Sequence, residues 1–233
     1  MIHVQGVKKN YGDQVVLKGI NLSIEKGSCT ALVGRNGSGK STLVDIICKT
    51  KEANTGVVRY GFEEHNLFEH MGVQIQDAKF DGRLKVKEII DLWIAIYGGA
   101  KANLEELIEI LELAPIMNSR SERISGGQRQ KLNILLSLLH DPEILIFDEL
   151  TTGLDATTRE DVQQYLKMLN RKRGKTIFIV SHYMDEVEAL CDMVHFLKDG
   201  VIFESGSPDE IKKKYACDSL QEFVKRHMGK VAM

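Results

Sequence analysis

Apolar and polar side chains alternate through Val4 to Val7 and again through Val15 to Ile24, with Tyr11-Gly12-Asp13 between them. A period of two broken by a turn tripeptide predicts antiparallel strands with one dry face and one wet face. The pattern then changes. Cys29 to Val33 is a short, mostly apolar run that predicts a buried strand. A glycine-rich turn follows, and Ser41 to Thr50 sets Leu43, Ile46 and Ile47 on one helical face, so the order is strand, loop, helix. Helical periodicity governs Val86 to Tyr97, Asn103 to Leu113 and Gly127 to Leu139, separated by Gly98-Gly99 and the Pro115 region, and predicts an inserted helical lobe over about 84–140. Beyond Pro142, the apolar runs Ile144 to Phe147 and Thr176 to Val180 flank a helix-patterned Thr158 to Lys172. Such alternation implies a parallel sheet with crossover helices. Phe196 to Phe203 reads as a hairpin about Asp199-Gly200, and Pro208 to Tyr215 and Ser219 to His227 as short terminal helices. The fold class expected is α/β: a parallel-sheet core, an N-terminal antiparallel β part and an inserted helical part, in one domain over 1–233.

Composition narrows the partners. With 31 Lys plus Arg against 33 Asp plus Glu and a net charge of −2, no global positive field favours nucleic acid, so a polyanion must meet a local site. Hydrophobic residues at 43% and charged residues at 27% argue against disorder and coiled-coil arrays. Cys29, Cys48, Cys191 and Cys217 form no Cys-x-x-Cys pair, so neither a zinc knuckle nor a disulfide framework is indicated, and a reducing compartment is expected. The opening Met1-Ile2-His3-Val4-Gln5 does not read as a signal peptide, and apolar stretches such as Ile89 to Tyr97 fall well short of the roughly 18 residues of a spanning helix. If this protein acts at a membrane, another chain is expected to span it. The basic runs Lys212-Lys213-Lys214 and Lys225-Arg226-His227 read as solvated helix faces.

Candidate chemistry begins at Gly34-Arg35-Asn36-Gly37-Ser38-Gly39-Lys40-Ser41-Thr42, a complete G-x-x-x-x-G-K-[ST] pattern between a predicted strand and helix. Its glycines let backbone N–H groups curl around phosphate oxygens, the helix adds its positive end, Lys40 can bridge the β- and γ-phosphates, and the Ser41 hydroxyl suits Mg²⁺. Such a loop alone does not separate kinases, GTPases, helicases and transport ATPases. Ile144 to Phe147 delivers Asp148 and Glu149 to the carboxyl end of the sheet, where nucleotides bind in α/β folds. Asp148 suits the Mg²⁺ shell, and Glu149 suits orienting or deprotonating an attacking water. Ile124-Ser125-Gly126-Gly127-Gln128 offers a helix-capping serine and two glycines at a helix's positive end, a second anion site.

In this combination the chain resembles the ATP-binding cassette ATPases, the motors of ABC transporters, with ISGGQ similar to their signature loop. The resemblance runs from Tyr11 to the Asp199-Gly200 hairpin. It implies a P-loop NTPase (RecA-like) core, ATP and Mg²⁺ as cofactors, and two chains that sandwich ATP between the phosphate loop of one and Ser125, Gly126, Gly127 and Gln128 of the other. It further implies Tyr11 stacked on adenine, Gln76 reaching Mg²⁺ and the water (with Gln74 a rival), Asp155 of Gly153-Leu154-Asp155 at the dimer interface, and His182 on the γ-phosphate. This chain departs from the family pattern at Leu150, where proline is usual, and at Leu135 and Leu136, where small and basic residues are common. The implied partners are a second ATPase subunit, identical or related, and an integral membrane permease holding the chain at the cytoplasmic face. The stretch Leu84 to Glu88 running to Gly98, with Ser219 to Phe223, resembles the branch serving drug, bacteriocin, peptide or lipid-linked exporters. Importer motors and ABC-type ATPases without a permease, as in iron–sulfur assembly, remain the alternatives.

Overall fold

The computed structural model describes residues 1–74, 80–100 and 102–229. In chain order the strands are β1 (Ile2–Tyr11), β2 (Gln14–Ile24), β3 (Cys29–Gly34), β4 (Thr55–Tyr60), β5 (Met71–Gln74), β6 (Ile144–Asp148), β7 (Thr176–Val180), β8 (Met193–Lys198) and β9 (Val201–Gly206). The helices are α1 (Lys40–Ile47), α2 (Leu67–His70), α3 (Val86–Ile96), α4 (Leu104–Ile110), α5 (Gly126–Leu138), α6 (Ala156–Arg173), α7 (Met184–Leu190), α8 (Pro208–Tyr215) and α9 (Leu220–Phe223), with a π-helical turn over Val224–Met228. They gather into two compact units: Met1–Leu67 with the chain from Thr176 onward, and Phe68–Lys175.

In the first unit β1 lies between β2 and β4, antiparallel to both. The predicted turn falls at Gly12-Asp13, where Tyr11 faces Gln14. β3 pairs in parallel with β7 on one side and β8 on the other, and β8 turns back into β9. Every residue of β3 and of β7 is buried, as expected of strands covered on both faces. The two sheets of this unit meet where the Lys18 N–H donates to the Gly200 carbonyl at 2.8 Å. A Cβ on Gly200 would stand 2.4 Å from the Val16 carbonyl oxygen, so that turn admits only glycine without movement.

In the second unit β5 pairs in parallel with β6, whose five residues are all buried. Helices α3 to α6 fill the rest of the unit. Asp155 caps α6 by accepting the Thr158 N–H, Gly174 closes it in a left-handed conformation, and Arg171, Lys172 and Arg173 sit at its negative end. Leu135 and Leu136 are buried, so the signature helix α5 packs with the larger side chains that depart from the family pattern. Four of these elements escaped the pattern: β4, of which Val58 alone is buried, the four-residue α2 and β5, and the seven-residue α7. Among the described residues no helix is long and apolar enough to cross a membrane.

Candidate nucleotide site

The phosphate loop emerges from β3 and closes on α1. Gly37 and Gly39 take φ of 78° and 105°, conformations open to glycine, and Gly39 caps α1. A Cβ on Gly39 would lie 2.7 Å from Leu17 Cδ2, so the loop rests directly on β2. Arg35, Asn36 and Gly37 are exposed while Ser38, Gly39 and Lys40 are buried. The Lys40 ammonium donates to the Gly34 carbonyl at 2.8 Å and to the Arg35 carbonyl at 3.1 Å, which holds the loop curled. No acidic residue stands in the first turn of α1, leaving its partial positive charge to an anion. Ser41 is exposed on that same turn, followed by half-buried Thr42.

Register brings His182 to the same loop. Leu32 pairs with Val180, two residues before His182, and the Ser181 N–H donates to the Leu32 carbonyl at 3.4 Å. The Ser181 hydroxyl bonds the buried Glu186 carboxyl at 2.5 Å and accepts the Tyr183 N–H at 3.1 Å. These bonds fix the turn carrying His182, whose ring lies 4.2 Å from that of Tyr183. Tyr11 ends β1 as an exposed residue, and the ammonium groups of Lys9 and Lys51 lie 5.3 and 5.9 Å from its ring centroid. An electron-rich ring face flanked by cations suits stacking beside phosphates. Asp45 is the principal cause that raises the pKa of Lys51.

In the second unit β6 carries Asp148, 4% exposed, at its carboxyl end. Glu149 follows with φ of 57°, a left-handed conformation uncommon for any residue but glycine. The chain then turns through Thr152 N–H to Glu149 carbonyl and Leu154 N–H to Thr151 carbonyl bonds, both 3.2 Å, before Asp155 caps α6. Ser125 and Gln128 form a reciprocal capping box on α5: the Gln128 N–H donates to Ser125 Oγ at 3.2 Å and the Ser125 N–H to Gln128 Oε1 at 2.9 Å. The first turn of α5 also lacks an acid, and a Cβ on Gly126 would meet nothing within 4 Å, so an anion could approach that helix end. Gly127 differs: its Cβ would lie 2.6 Å from the Gly153 carbonyl oxygen. Gln76 lies outside the described residues; Gln74, its rival, is buried at the end of β5 and donates to Gln130 Oε1 at 3.4 Å.

The capping carboxyl of Asp155 is held down to about 2, first by the Thr158 N–H and hydroxyl and then by Lys131. The second unit also holds a cavity of about 470 Å³ whose walls include Phe80, Leu84, Leu92, Trp93 and Leu136, with Gln74 and Asn133 as polar points.

A family model described as ABC transporter matches residues 17–152. The chain belongs to the ABC transporter ATPase family. A Nod factor export ATP-binding protein I from Rhizobium sp. (strain N33) is 31% identical over 95% of this ABC ATPase and 76% of its own length. The methionine import ATP-binding protein MetN of Clostridioides difficile (strain 630) is 30% identical over 91% of the chain and 70% of its own. Among solved structures, the dimeric post-hydrolysis state of the ATP-binding cassette MJ0796 bound to ADP and Pi superposes with a TM-score of 0.78 at 28% identity, covering 89% of this chain and 98% of that one. An exporter and an importer thus match almost equally, so likeness does not carry the direction of transport.

The motif reading of this ABC ATPase passed over Gln130, Lys131, Glu112 and Thr158. The Lys131 ammonium sits 2.5 Å from Glu112 Oε2 and 3.4 Å from Asp155 Oδ2, and the Thr158 hydroxyl lies 3.0 Å from Glu112 and 2.9 Å from Asp155. A polar residue on a helix gives no period of its own, and a pairing across 19 or more residues has no local signal.

Proposed function

We propose that this chain is the ATP-hydrolysing motor of a transporter, working as a dimer that closes on ATP and drives a separate membrane permease, in the export direction. The observation that carries the reading is the presence, in one chain of this family, of a curled phosphate loop with buried Lys40 and a capped signature helix whose first turn is free of acids. Each is half of a phosphate site, and two chains complete both halves.

In this reading ATP is the substrate whose γ-phosphoryl group is transferred to water, and a bound Mg²⁺ would supply positive charge at the phosphate oxygens. Lys40 and the loop N–H groups would bind the phosphates, Tyr11 would stack on the base, and Ser41, Asp148 and Gln76 would offer hard oxygen atoms to the metal. Among the described residues no group of three or more His, Cys, Asp or Glu side chains converges. That fits an ion held largely by phosphate oxygens and water with few protein ligands. Glu149 orients and deprotonates the water, a role for a carboxylate within hydrogen-bond reach of it. His182 contacts the γ-phosphate, and Ser125, Gly126, Gly127 and Gln128 close the nucleotide bound by the other chain, with Asp155 at the junction. The apolar cavity at Leu84 and Trp93 is where a cytoplasmic helix of the permease docks, because it exposes aromatic and aliphatic walls.

Export is favoured by the Leu84 to Gly98 and Ser219 to Phe223 resemblances, and import, the direction in the name of the MetN relative, is the second reading. Glu149→Gln should trap an ATP-bound dimer in light scattering, and monomers persisting at saturating Mg-ATP count against the scheme. Affinity purification of the tagged chain from gently solubilised membranes should recover a polytopic permease; a soluble assembly scaffold alone would shift the reading to a permease-free ATPase.

A further inference from the structure

Glu149, the residue read above as the catalytic base, sits in a left-handed conformation with φ of 57° and is followed by a tight turn. Such a conformation persists in a residue with a side chain only where the surroundings hold it. Beside the Thr152 N–H bond to the Glu149 carbonyl, one side-chain amide grips this turn. Gln130 Nε2 donates to the Leu150 carbonyl at 2.8 Å and to the Glu149 carbonyl at 3.1 Å, while Gln130 Oε1 accepts from Gln74 Nε2 at 3.4 Å. Two N–H donors meet two carbonyls and one oxygen meets one donor, so the hydrogen-bonding pattern sets the orientation of the amide.

The contacts on either side of Gln130 point the same way. Gly127, three residues earlier on α5, approaches the Gly153 carbonyl so closely that a Cβ would stand 2.6 Å from it. Lys131 reaches Asp155 at 3.4 Å. Positions three and four apart share a helix face, so one face of the signature helix grips the loop after β6 at its start, middle and end.

We propose that Gln130 is a positioning residue for Glu149. It holds the left-handed turn from which the carboxylate projects, and it ties that turn to the signature helix and, through Gln74, to the end of β5. The bonds of Gln130 go to the turn after β6 and to Gln74, so its removal should slow the chemical step and leave ATP affinity unchanged. The inference rests on the catalytic reading of Glu149 given above.

The test uses the full chain with Gln130→Glu, which keeps length and helix propensity but presents an acceptor to two carbonyls, and Gln130→Lys, which retains a donor. Hydrogen–deuterium exchange of the nucleotide-free chain should speed up about tenfold at the amides of 150–153 in Gln130→Glu and recover in Gln130→Lys. Steady-state ATP hydrolysis should show kcat about tenfold lower in Gln130→Glu with KM within about twofold, again restored by lysine. Unchanged exchange at 150–153, or a raised KM with unchanged kcat, overturns the proposal. If Gln130→Glu fails to fold, Gln130→Asn, one methylene too short to span both carbonyls, carries the same expectations. Glu149→Gln assayed in parallel separates the two claims: normal turnover there overturns the role given to Glu149, while exchange at 150–153 still decides whether Gln130 holds the turn.

Discussion

Lys131, on the second turn of the signature helix, lies 3.4 Å from Asp155, the residue that caps α6. The Lys131 side chain is 10% exposed and also meets Glu112, so it joins the signature helix to the loop that the family resemblance places at the dimer interface. Asp155 has its carboxyl held to about 2 against an ordinary 3.8, chiefly by Thr158 and secondarily by Lys131. A carboxyl depressed in the folded state stabilises it above its unfolded pKa, and that stabilisation is lost as pH falls toward the folded value. Asp155→Asn should therefore lower the melting temperature at neutral pH, and the gap to the unsubstituted chain should close between about pH 4 and about pH 2. A gap that stays constant across that window in a melting series would show that the cap carries no such linkage.

Gly126 and Gly127 should part company. Alanine at Gly126 meets open space, whereas at Gly127 its Cβ is 2.6 Å from a backbone carbonyl that must move. Gly127→Ala is expected to cost about 1–3 kcal/mol in urea unfolding, with Gly126→Ala within about 0.5 kcal/mol of the parent. Equal midpoints for the two variants would mean that the Gly153 turn yields freely.

Lys40 bonds two carbonyls of its own loop, and the function proposed above assigns it the phosphates of ATP. Lys40→Ala should reduce ATP hydrolysis by about a hundredfold or more, read as phosphate release, with the far-ultraviolet circular dichroism spectrum kept. Hydrolysis at a tenth of the parent rate or better would deny the lysine its role.

Leu92, 47% exposed at the cavity, contributes little to the core, so Leu92→Asp should melt within about 2 °C of the parent. Its expected effect is loss of permease in co-purification, with ATP-driven dimerisation of the Glu149→Gln background intact. Undiminished permease recovery would move the docking surface away from the cavity.

Much of this was legible before any coordinates. The phosphate loop and the Ser125–Gln128 capping box are written in residues that touch across three to six positions, so spacing alone reveals them. β3, β6 and β7 show as apolar runs because parallel strands bury both faces. β4 gave no such sign, since as the outer neighbour of β1 it buries one residue of six. α7 is too short to show a period.

What the sequence by itself determined was chemistry held in local order: which loop carries the G-x-x-x-x-G-K-[ST] pattern, which strand ends in Asp148 and Glu149, which helix starts with Ser125. What the tertiary structure decided was which distant residues hold those groups in place. The amide of Gln130 on the Glu149 and Leu150 carbonyls, and Lys131 on Asp155, join positions 19 to 24 apart in the chain. Leu150, which departs from the family pattern, is buried and lends its carbonyl to that bond. Such pairings arise because packing of α5 against the loop after β6 brings donors to carbonyls and a cation to a carboxylate. The distance that counts for a hydrogen bond is the one through space, which no spacing along the chain records.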